Sequence, residues 1–499
     1  MSTIRRQSII SSLLTYVGFG FGAVNTYLFT KQGIFTPEQY GLTRAFIVMG
    51  SFFYGFANFG LLSVIYKFSP YYKDNLKEKE NDLLTICLII SMIGFILTTI
   101  GGIVFEPLVI RKFSAKSPLL VEYYFWVFPL VFFLLFFSLL EAYCWSLKKT
   151  VFPIFLKEAG FRISTTILIV LFIVAGIKFS LFIKLFSFLY SVSFLALLIY
   201  LIRIKKFNIT FQISRVTKRF YKKMLVLLGF VFSGSIITVA AQSVDSFSIA
   251  SFVNLSLLAV FDFSIYITSI INVPQRSIIS ISIPVLSQAW KDKDYETIKR
   301  VYSRSSLNLL MASLFIFSAI WLNYDSAIKV FNLNKIYEEG KIVVLLVGLK
   351  NIIDMGTGVN SQIIVTSLFW KFEFLCGVIL LFLMIPLNII LVKHLGIEGA
   401  AISSLAAYFV YNSIRLYFLW YKFKMQPFTK NTLYVIAHAL ACYFICLFLF
   451  RNMGGFIGII IRSISFVLLF ASSAIFFKIS PDIDPVWRTI RKRLGMKNY

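Results

Sequence analysis

Charged residues are scarce in this sequence. Asp, Glu, Lys and Arg make up 14% of its 499 residues, whereas a soluble domain carries roughly 25%. Hydrophobic residues reach 59%, and the mean hydropathy is +0.83. A soluble fold of this length has too much surface for so few charges, so we predict an integral membrane protein.

Motifs of catalysis are missing as well. The sequence has no G-x-x-x-x-G-K-[ST] phosphate loop, no H-E-x-x-H metal motif and no nucleophile elbow. His394 and His438 lie far apart, and the five cysteines fall in apolar segments without metal-ligand spacing. The loops are too short for a soluble catalytic or ATPase domain. We therefore expect no enzyme, no cofactor and no metal.

Long apolar segments are what the sequence has instead. A helical span needs about 20 apolar residues, and strands of a barrel need alternation, which is absent here. We predict an all-α integral membrane protein of about fourteen transmembrane helices. The spans lie near residues 8–30, 41–66, 83–103, 118–146, 150–176, 180–202, 224–244, 254–283, 302–322, 341–367, 370–392, 396–421, 432–450 and 456–477.

Basic residues are distributed unevenly between the loops. A net charge of +27 would suggest nucleic acid in a soluble protein, but most Lys and Arg here fall in alternate loops, as the positive-inside rule requires. Both termini are then cytoplasmic in a multi-pass protein of the inner membrane, and no nucleic-acid partner is expected. The loop 104–117, with Arg111, Lys112 and Lys116 on the outer side, fits this topology least well.

The largest basic loop, 203–223, separates six predicted spans from eight. A weak internal repeat supports two halves, because spans two and eight both end in proline followed by Lys-Asp; such repeats recur in transporters. We predict an N-terminal six-helix bundle (1–202), a basic cytoplasmic linker (203–223), a second six-helix bundle (224–421), and two extra helices with a basic tail (422–499).

Ionisable residues inside the spans mark candidate functional sites, since each costs at least about 2.5 kcal/mol in hydrocarbon. Span five holds Lys157, Glu158 and Arg162, with the last two four residues apart on one helix face. This spacing fits either an internal ion pair or a cation that faces a cavity. Span ten holds Lys350 and Asp354 at the same spacing.

The glycines after Asp354 predict a loosened helix or a close helix contact. A carboxylate beside an ammonium in a cavity that alternates between wet and dry suits proton or sodium coupling. Arg44 in span two, and Asp262 and Arg276 in span eight, are further candidates, although both arginines can instead snorkel to the interface. Snorkelling is the better interpretation for Lys184, Glu141, Arg304, Lys341, Lys371, Arg415 and Arg462.

Cations outnumber carboxylates among the mid-span residues, which favours an anionic substrate by Coulomb attraction. Arginine in particular matches phosphate with two parallel donors. The predicted substrate-binding residues are Arg44, Lys157, Arg162, Arg276 and Lys350, and the candidates for ion coupling are Glu158, Asp262 and Asp354.

Several short stretches resemble the polysaccharide flippase family, which exports O-antigen or capsule repeat units, within the multidrug/oligosaccharidyl-lipid/polysaccharide exporter superfamily. Their order and spacing extend the resemblance over essentially the whole chain. They are 35–42 (FTPEQYGL), 58–61 (NFGL) running into 67–70 (KFSP), 244–247 (VDSF) and 395–401 (LGIEGAA).

The resemblance implies two six-helix bundles in a V-shaped arrangement around a cationic cavity. The implied substrate is an undecaprenyl-pyrophosphate-linked oligosaccharide, flipped from the inner to the outer leaflet by ion-coupled alternating access. The implied energy source is a proton or sodium gradient. Membrane lipids and polysaccharide polymerase machinery are the expected partners.

Three alternatives remain open. A lipid II flippase shares the architecture and the charge, and nothing in the sequence reports the sugar. A multidrug or cation exporter of the same superfamily usually has twelve spans and acidic cavity groups, unlike this chain. A membrane O-antigen polymerase or ligase needs a large outer catalytic loop, which the sequence lacks.

Overall fold

The computed structural model describes residues 3–477 and 479–482, and the regular secondary structure of these residues is entirely helical. The predicted all-α class is confirmed. The hydrocarbon of the bilayer explains this class, because an unpaired backbone N–H or C=O group costs several kcal/mol there. A helix pairs these groups within one segment.

Contacts divide the chain into two compact units, residues 1–259 and 260–499. The boundary lies inside one helix and therefore after the predicted linker, part of which is itself helical. The predicted four-part division stays a prediction. The first unit contains α1 (Thr3–Thr30), α2 (Pro37–Ala57), α3 (Leu61–Asn75), α4 (Leu83–Val104), α5 (Glu106–Phe113), α6 (Pro118–Glu122), α7 (Val127–Ser146), α8 (Val151–Phe155), α9 (Phe161–Ala175), α10 (Phe179–Ser187), α11 (Leu189–Arg203) and α12 (Arg215–Phe252).

Helix α13 (Leu255–Ser269) contains the boundary between the units. The second unit continues with α14 (Val273–Asp292), α15 (Tyr295–Val330), α16 (Gly340–Gly356), α17 (Asn360–Thr366), α18 (Trp370–Phe423), α19 (Lys430–Leu449) and α20 (Gly455–Phe476).

Ten helical segments of the described residues are long and apolar enough to cross a membrane, or up to twelve with two bent pairs counted as one span each. Helix α18 has 54 residues and a non-helical Gly396 at φ 59°, ψ −134°. At 1.5 Å per residue it would measure about 80 Å, against a hydrocarbon core of about 30 Å. It therefore contains two spans, as predicted for residues 370–421. The total of fourteen stays a prediction.

Two spans are broken by glycine. Helices α2 and α3 meet at 48°, with Gly60 at φ 76° between them, and α16 and α17 meet at 46°, with Gly358 at φ 67°. A left-handed conformation is inexpensive only for glycine. The loosened helix predicted after Asp354 is confirmed at Gly358.

Four helices end on a lysine in the left-handed conformation that usually selects glycine. Lys148, Lys205, Lys293 and Lys424 follow α7, α11, α14 and α18 with φ values of 61°, 55°, 56° and 54°. Each conformation costs about 1 kcal/mol, and the negative C-terminal end of the helix dipole offsets part of that cost by attracting the ammonium. All four lysines lie in loops that the charge distribution places inside.

Small residues allow the helices of the first unit to approach closely. A Cβ atom on Gly94 of α4 would lie 2.2 Å from the carbonyl oxygen of Ala57 and 2.9 Å from the ring of Phe59. This oxygen belongs to the backbone, so it cannot move aside as the end of a flexible side chain can. By contrast, a Cβ atom on Gly101, two turns further along α4, would meet nothing within 4 Å.

We expect Gly94→Ala to destabilise the protein by about 1–3 kcal/mol, because the added methyl group overpacks the contact between α2 and α4. The matched variant Gly101→Ala should be neutral or slightly stabilising, because alanine favours helix by up to about 1 kcal/mol over glycine. The apparent melting temperature of the detergent-purified protein measures both effects. Equal melting temperatures for the two variants would contradict the packing described here.

Candidate functional site

A polar cluster in the first unit is built on a π-helical turn, Leu156–Gly160, between α8 and α9. The turn carries Lys157 and Glu158, and α9 then carries Arg162. Such turns insert one residue into a helix and occur frequently at functional sites. Nothing in the hydropathy pattern of span five predicted this irregularity.

Gly18 of α1 lies directly against this turn. A Cβ atom there would fall 2.3 Å from the carbonyl oxygen of Glu158 and 2.8 Å from Nη1 of Arg162. The missing side chain therefore lets α1 pack on the cluster. No local pattern in the sequence distinguishes Gly18, because a glycine within a helix can serve many purposes.

Arg162 contacts Glu158 as the spacing predicted. Its Nη1 donates to the carbonyl oxygen of Glu158 at 2.7 Å and lies 3.4 Å from the carboxylate oxygen Oε2. The guanidinium also lies over the ring of Phe19, 5.4 Å from its centre. The side chain remains 29% exposed, so the ion pair leaves part of the guanidinium accessible.

Asn25 of α1 fixes the backbone that carries Arg162. Its Nδ2 donates to the carbonyl oxygen of Arg162 at 2.8 Å, and its Oδ1 accepts from the hydroxyl of Thr166 at 2.6 Å. Asn25 is buried, so both bonds form away from solvent, where such bonds are strong. The cluster is therefore held rigidly by two helices.

Glu141 corrects one of our predictions. It was expected to reach the interface, but it is only 5% exposed in α7, and its Oε2 lies 3.1 Å from Nζ of Lys157. A short carboxylate side chain cannot snorkel as a lysine can, and Lys157 of a neighbouring segment neutralises it. With Glu141 included, the first unit has two such carboxylates, Glu141 and Glu158. They are still outnumbered by the three candidate cations, which are Arg44, Lys157 and Arg162.

Arg44 lies half-buried on α2, with its guanidinium 6.0 Å from the ring centre of Tyr40. Arg276 is exposed on α14, and Asp262 is half-buried on α13. The roles predicted for these three residues stay predictions.

A second polar cluster surrounds the break between α16 and α17. Nδ2 of Asn412, on α18, donates to Oδ1 of Asp354 at 3.0 Å. Oδ1 of Asn412 accepts from the hydroxyl of Thr357 and from Nδ2 of Asn360, both at 3.2 Å. One amide thus connects the residues on both sides of the break. The charge of Asp354 within an apolar segment marks it in the sequence, whereas the neutral amide of Asn412 gives no such signal.

Arg415 and Glu373 form a buried ion pair between the two halves of α18. Nε of Arg415 donates to Oε2 of Glu373 at 3.0 Å, while Nη2 contacts Oε1 and the hydroxyl of Tyr411. The hydroxyl of Ser361 donates to the same carboxylate at 2.9 Å. Arg415 was predicted to snorkel, and this is wrong, since it is 5% exposed and its charge is satisfied internally.

Lys350 and Asp354 have separate contacts. The ammonium of Lys350 lies 4.8 Å from the ring centre of Tyr408, whereas Asp354 accepts from Asn412. The aromatic face of Tyr408 stabilises the cation by electrostatic attraction.

Arg462 of α20 was also predicted to snorkel, and this too is wrong. It is buried and donates to the carbonyl oxygen of Gly458 at 3.2 Å and to the hydroxyl of Ser326 at 2.5 Å. Since Ser326 belongs to α15, Arg462 connects α20 to α15 within the second unit and has a structural role.

No protein-family model matches this sequence, and no curated protein matches it significantly. Solved structures do match in three dimensions. A lipid II flippase, MurJ, in an inward closed conformation superposes with a TM-score of 0.73 at 17% identity, covering 94% of this chain and 99% of its own.

Two further structures superpose less extensively. An inward-facing multidrug resistance transporter of the MATE family has a TM-score of 0.61 at 17% identity, covering 82% of this chain and 94% of its own. A transporter of the MOP superfamily from Pyrococcus furiosus has a TM-score of 0.56 at 16% identity, covering 84% and 95%. The chain therefore has the same helical fold as these three transporters.

Proposed function

We propose that this protein is a membrane transporter that flips a polyprenyl-pyrophosphate-linked oligosaccharide from the inner to the outer leaflet. The observation that carries the proposal is the superposition on a lipid II flippase over 94% of this chain and 99% of the other. The MATE-type match covers 82%. The flippase therefore accounts for more of this fold than the multidrug transporter does.

The charge of the first cluster supports an anionic headgroup. Arg162 keeps an accessible guanidinium, and the candidate cations of this unit exceed the carboxylates even with Glu141 included. A pyrophosphate offers the paired oxygens that a guanidinium binds with two parallel hydrogen bonds. A cationic drug would be repelled from the same site. Arg162 is therefore proposed to bind the pyrophosphate, with Lys157 and Arg44 contributing positive potential.

The second cluster supports ion coupling. Asp354 lies at a break in a membrane helix and is hydrogen-bonded to Asn412. Transporters use discontinuous helices of this kind to bind coupling ions, because the break frees polar groups inside the membrane. Protonation or sodium binding at Asp354 would change its bond to Asn412 and thereby the geometry of the break. A proton or sodium gradient is thus proposed to drive alternating access.

A lipid II flippase is the second candidate, favoured by the superposition on MurJ. Lipid II carries the same pyrophosphate, so the two clusters would act in the same way. The substrate's sugar distinguishes the candidates. Complementation of a strain that lacks its repeat-unit flippase, compared with a strain depleted of its lipid II flippase, decides between them.

The inner membrane is the proposed location, and membrane lipids and polysaccharide polymerase machinery are the proposed partners.

We expect Arg162→Ala to reduce export of the lipid-linked glycan about tenfold or more, since a hydrogen bond to a charged group contributes about 1.5–3 kcal/mol. Arg162→Lys should retain part of the export, because the charge stays while the planar donor pair is lost. Surface glycan in the complemented strain, normalised to protein in the membrane, measures the effect.

The matched control is Arg111→Ala on α5, which removes an exposed arginine and should leave export unchanged. Wild-type export in the Arg162→Ala variant would exclude Arg162 from the substrate site.

We expect Asp354→Asn to abolish the dependence of transport on an imposed proton or sodium gradient. The variant keeps the size of the side chain and its hydrogen-bonding capacity, but it cannot exchange a proton or supply a negative charge. Translocation of a fluorescent lipid-linked glycan in proteoliposomes, with and without each gradient, measures this dependence.

Asp325→Asn serves as the control, because Asp325 is exposed and paired with Lys341 outside the second cluster. An Asp354→Asn variant that responds to the gradient as the wild type does would eliminate the coupling role.

A further inference from the structure

A groove of about 460 Å³ lies between α3 and α12 in the first unit. It is lined by Lys67 of α3 and, along α12, by Lys222, Lys223, Val226, Leu227 and Phe230. Neither the substrate site nor the coupling site proposed above uses any of these residues.

The three lysines give the groove an unneutralised positive charge. No carboxylate lines it, and within residues 3–477 and 479–482 none of the three lysines has an acidic partner. Their nearest contacts are aromatic faces: each ammonium lies 5.8–6.0 Å from the ring centre of Phe68, Tyr221 or Phe220. These contacts hold the side chains without cancelling their charge.

The order of residues along α12 places this charge at the membrane surface. The helix has 38 residues, which at 1.5 Å each makes about 57 Å, far more than the hydrocarbon core of about 30 Å. Its first nine residues contain five cations, and an uninterrupted apolar stretch begins at Met224. The groove includes this transition, because Lys222 and Lys223 precede it while Val226 and Phe230 follow it.

The basic end of α12 is anchored before any ligand binds. The buried carboxylate of Asp82, next to α4, accepts from the backbone N–H of Ser214 and from the hydroxyl of Thr217, both at 2.8 Å. Ser214 is the N-cap of α12, and its hydroxyl accepts from the backbone N–H of Thr217. The helix that carries two of the three lysines is thus fixed at its basic end, so its backbone loses little freedom when a ligand binds.

We propose that this groove binds the headgroup of an anionic phospholipid of the inner leaflet. The phosphate lies among Lys67, Lys222 and Lys223, and an acyl chain runs along Val226 and Phe230, which are 75% and 48% exposed. A free phosphate ion would use the lysines but leave the apolar wall uncovered. A phospholipid matches both parts of the groove, because its phosphate lies at the membrane surface beside the lysines and its acyl chain lies in the hydrocarbon beside Val226 and Phe230.

The test uses the full-length protein purified in detergent and titrated with phosphatidylglycerol or phosphatidylcholine, with bound lipid counted by native mass spectrometry. The triple variant Lys67→Gln, Lys222→Gln, Lys223→Gln should bind phosphatidylglycerol at least about tenfold more weakly and phosphatidylcholine unchanged. All three lysines are exposed, so the protein should fold normally.

A matched control removes the same charge from the loops on the same predicted side. Lys148→Gln, Lys149→Gln, Lys205→Gln changes three exposed lysines at the ends of α7 and α11, and it should retain phosphatidylglycerol binding. Equal loss in both triple variants, or wild-type binding in the groove variant, would overturn the proposal. Displacement of the lipid by millimolar inorganic phosphate would also overturn it, in favour of a free-anion site.

Discussion

Hydrocarbon cannot hydrogen-bond to a polar group, and this constraint governs every level of the structure. Backbone groups pair within helices, and charged side chains pair with one another or face water. Arg415 shows the constraint at its strongest, because Glu373, Tyr411 and the aromatic face of that tyrosine surround its guanidinium. Removing Glu373 alone would leave a buried cation uncompensated, at a cost of about 3–5 kcal/mol.

Polar side chains gather where helical hydrogen bonding is interrupted. The first cluster lies on a π-helical turn, and the second surrounds the break at Gly358. At the first interruption Asn25 donates to the backbone carbonyl of Arg162, and at the second Asn412 connects the side chains of Thr357 and Asn360. These interruptions are also the places where a helix can bend at low cost. Binding chemistry and the capacity for conformational change are therefore located together.

The two clusters differ in how completely the protein encloses their arginine side chains. Arg415 is buried against Glu373 and Tyr411 and connects the two halves of α18. Arg162 contacts only part of the Glu158 carboxylate and keeps an exposed face. A guanidinium that is both rigidly held and accessible can bind an external anion, whereas an enclosed one cannot. This difference makes Arg162, rather than the more deeply buried Arg415, the candidate substrate ligand.

The sequence by itself determined the all-α membrane class, the approximate spans and the mid-span candidates Arg162 and Asp354. These depend on local quantities, the length and hydropathy of a segment and the depth of a charge within it. Only the tertiary structure decided the partners. Depth placed Glu141, Arg415 and Arg462 near span ends, yet all three are buried, and each contacts a polar partner from another part of the chain: Lys157, Glu373 and Ser326. Which helices become neighbours is a property of packing, and a single sequence carries no local signal for it.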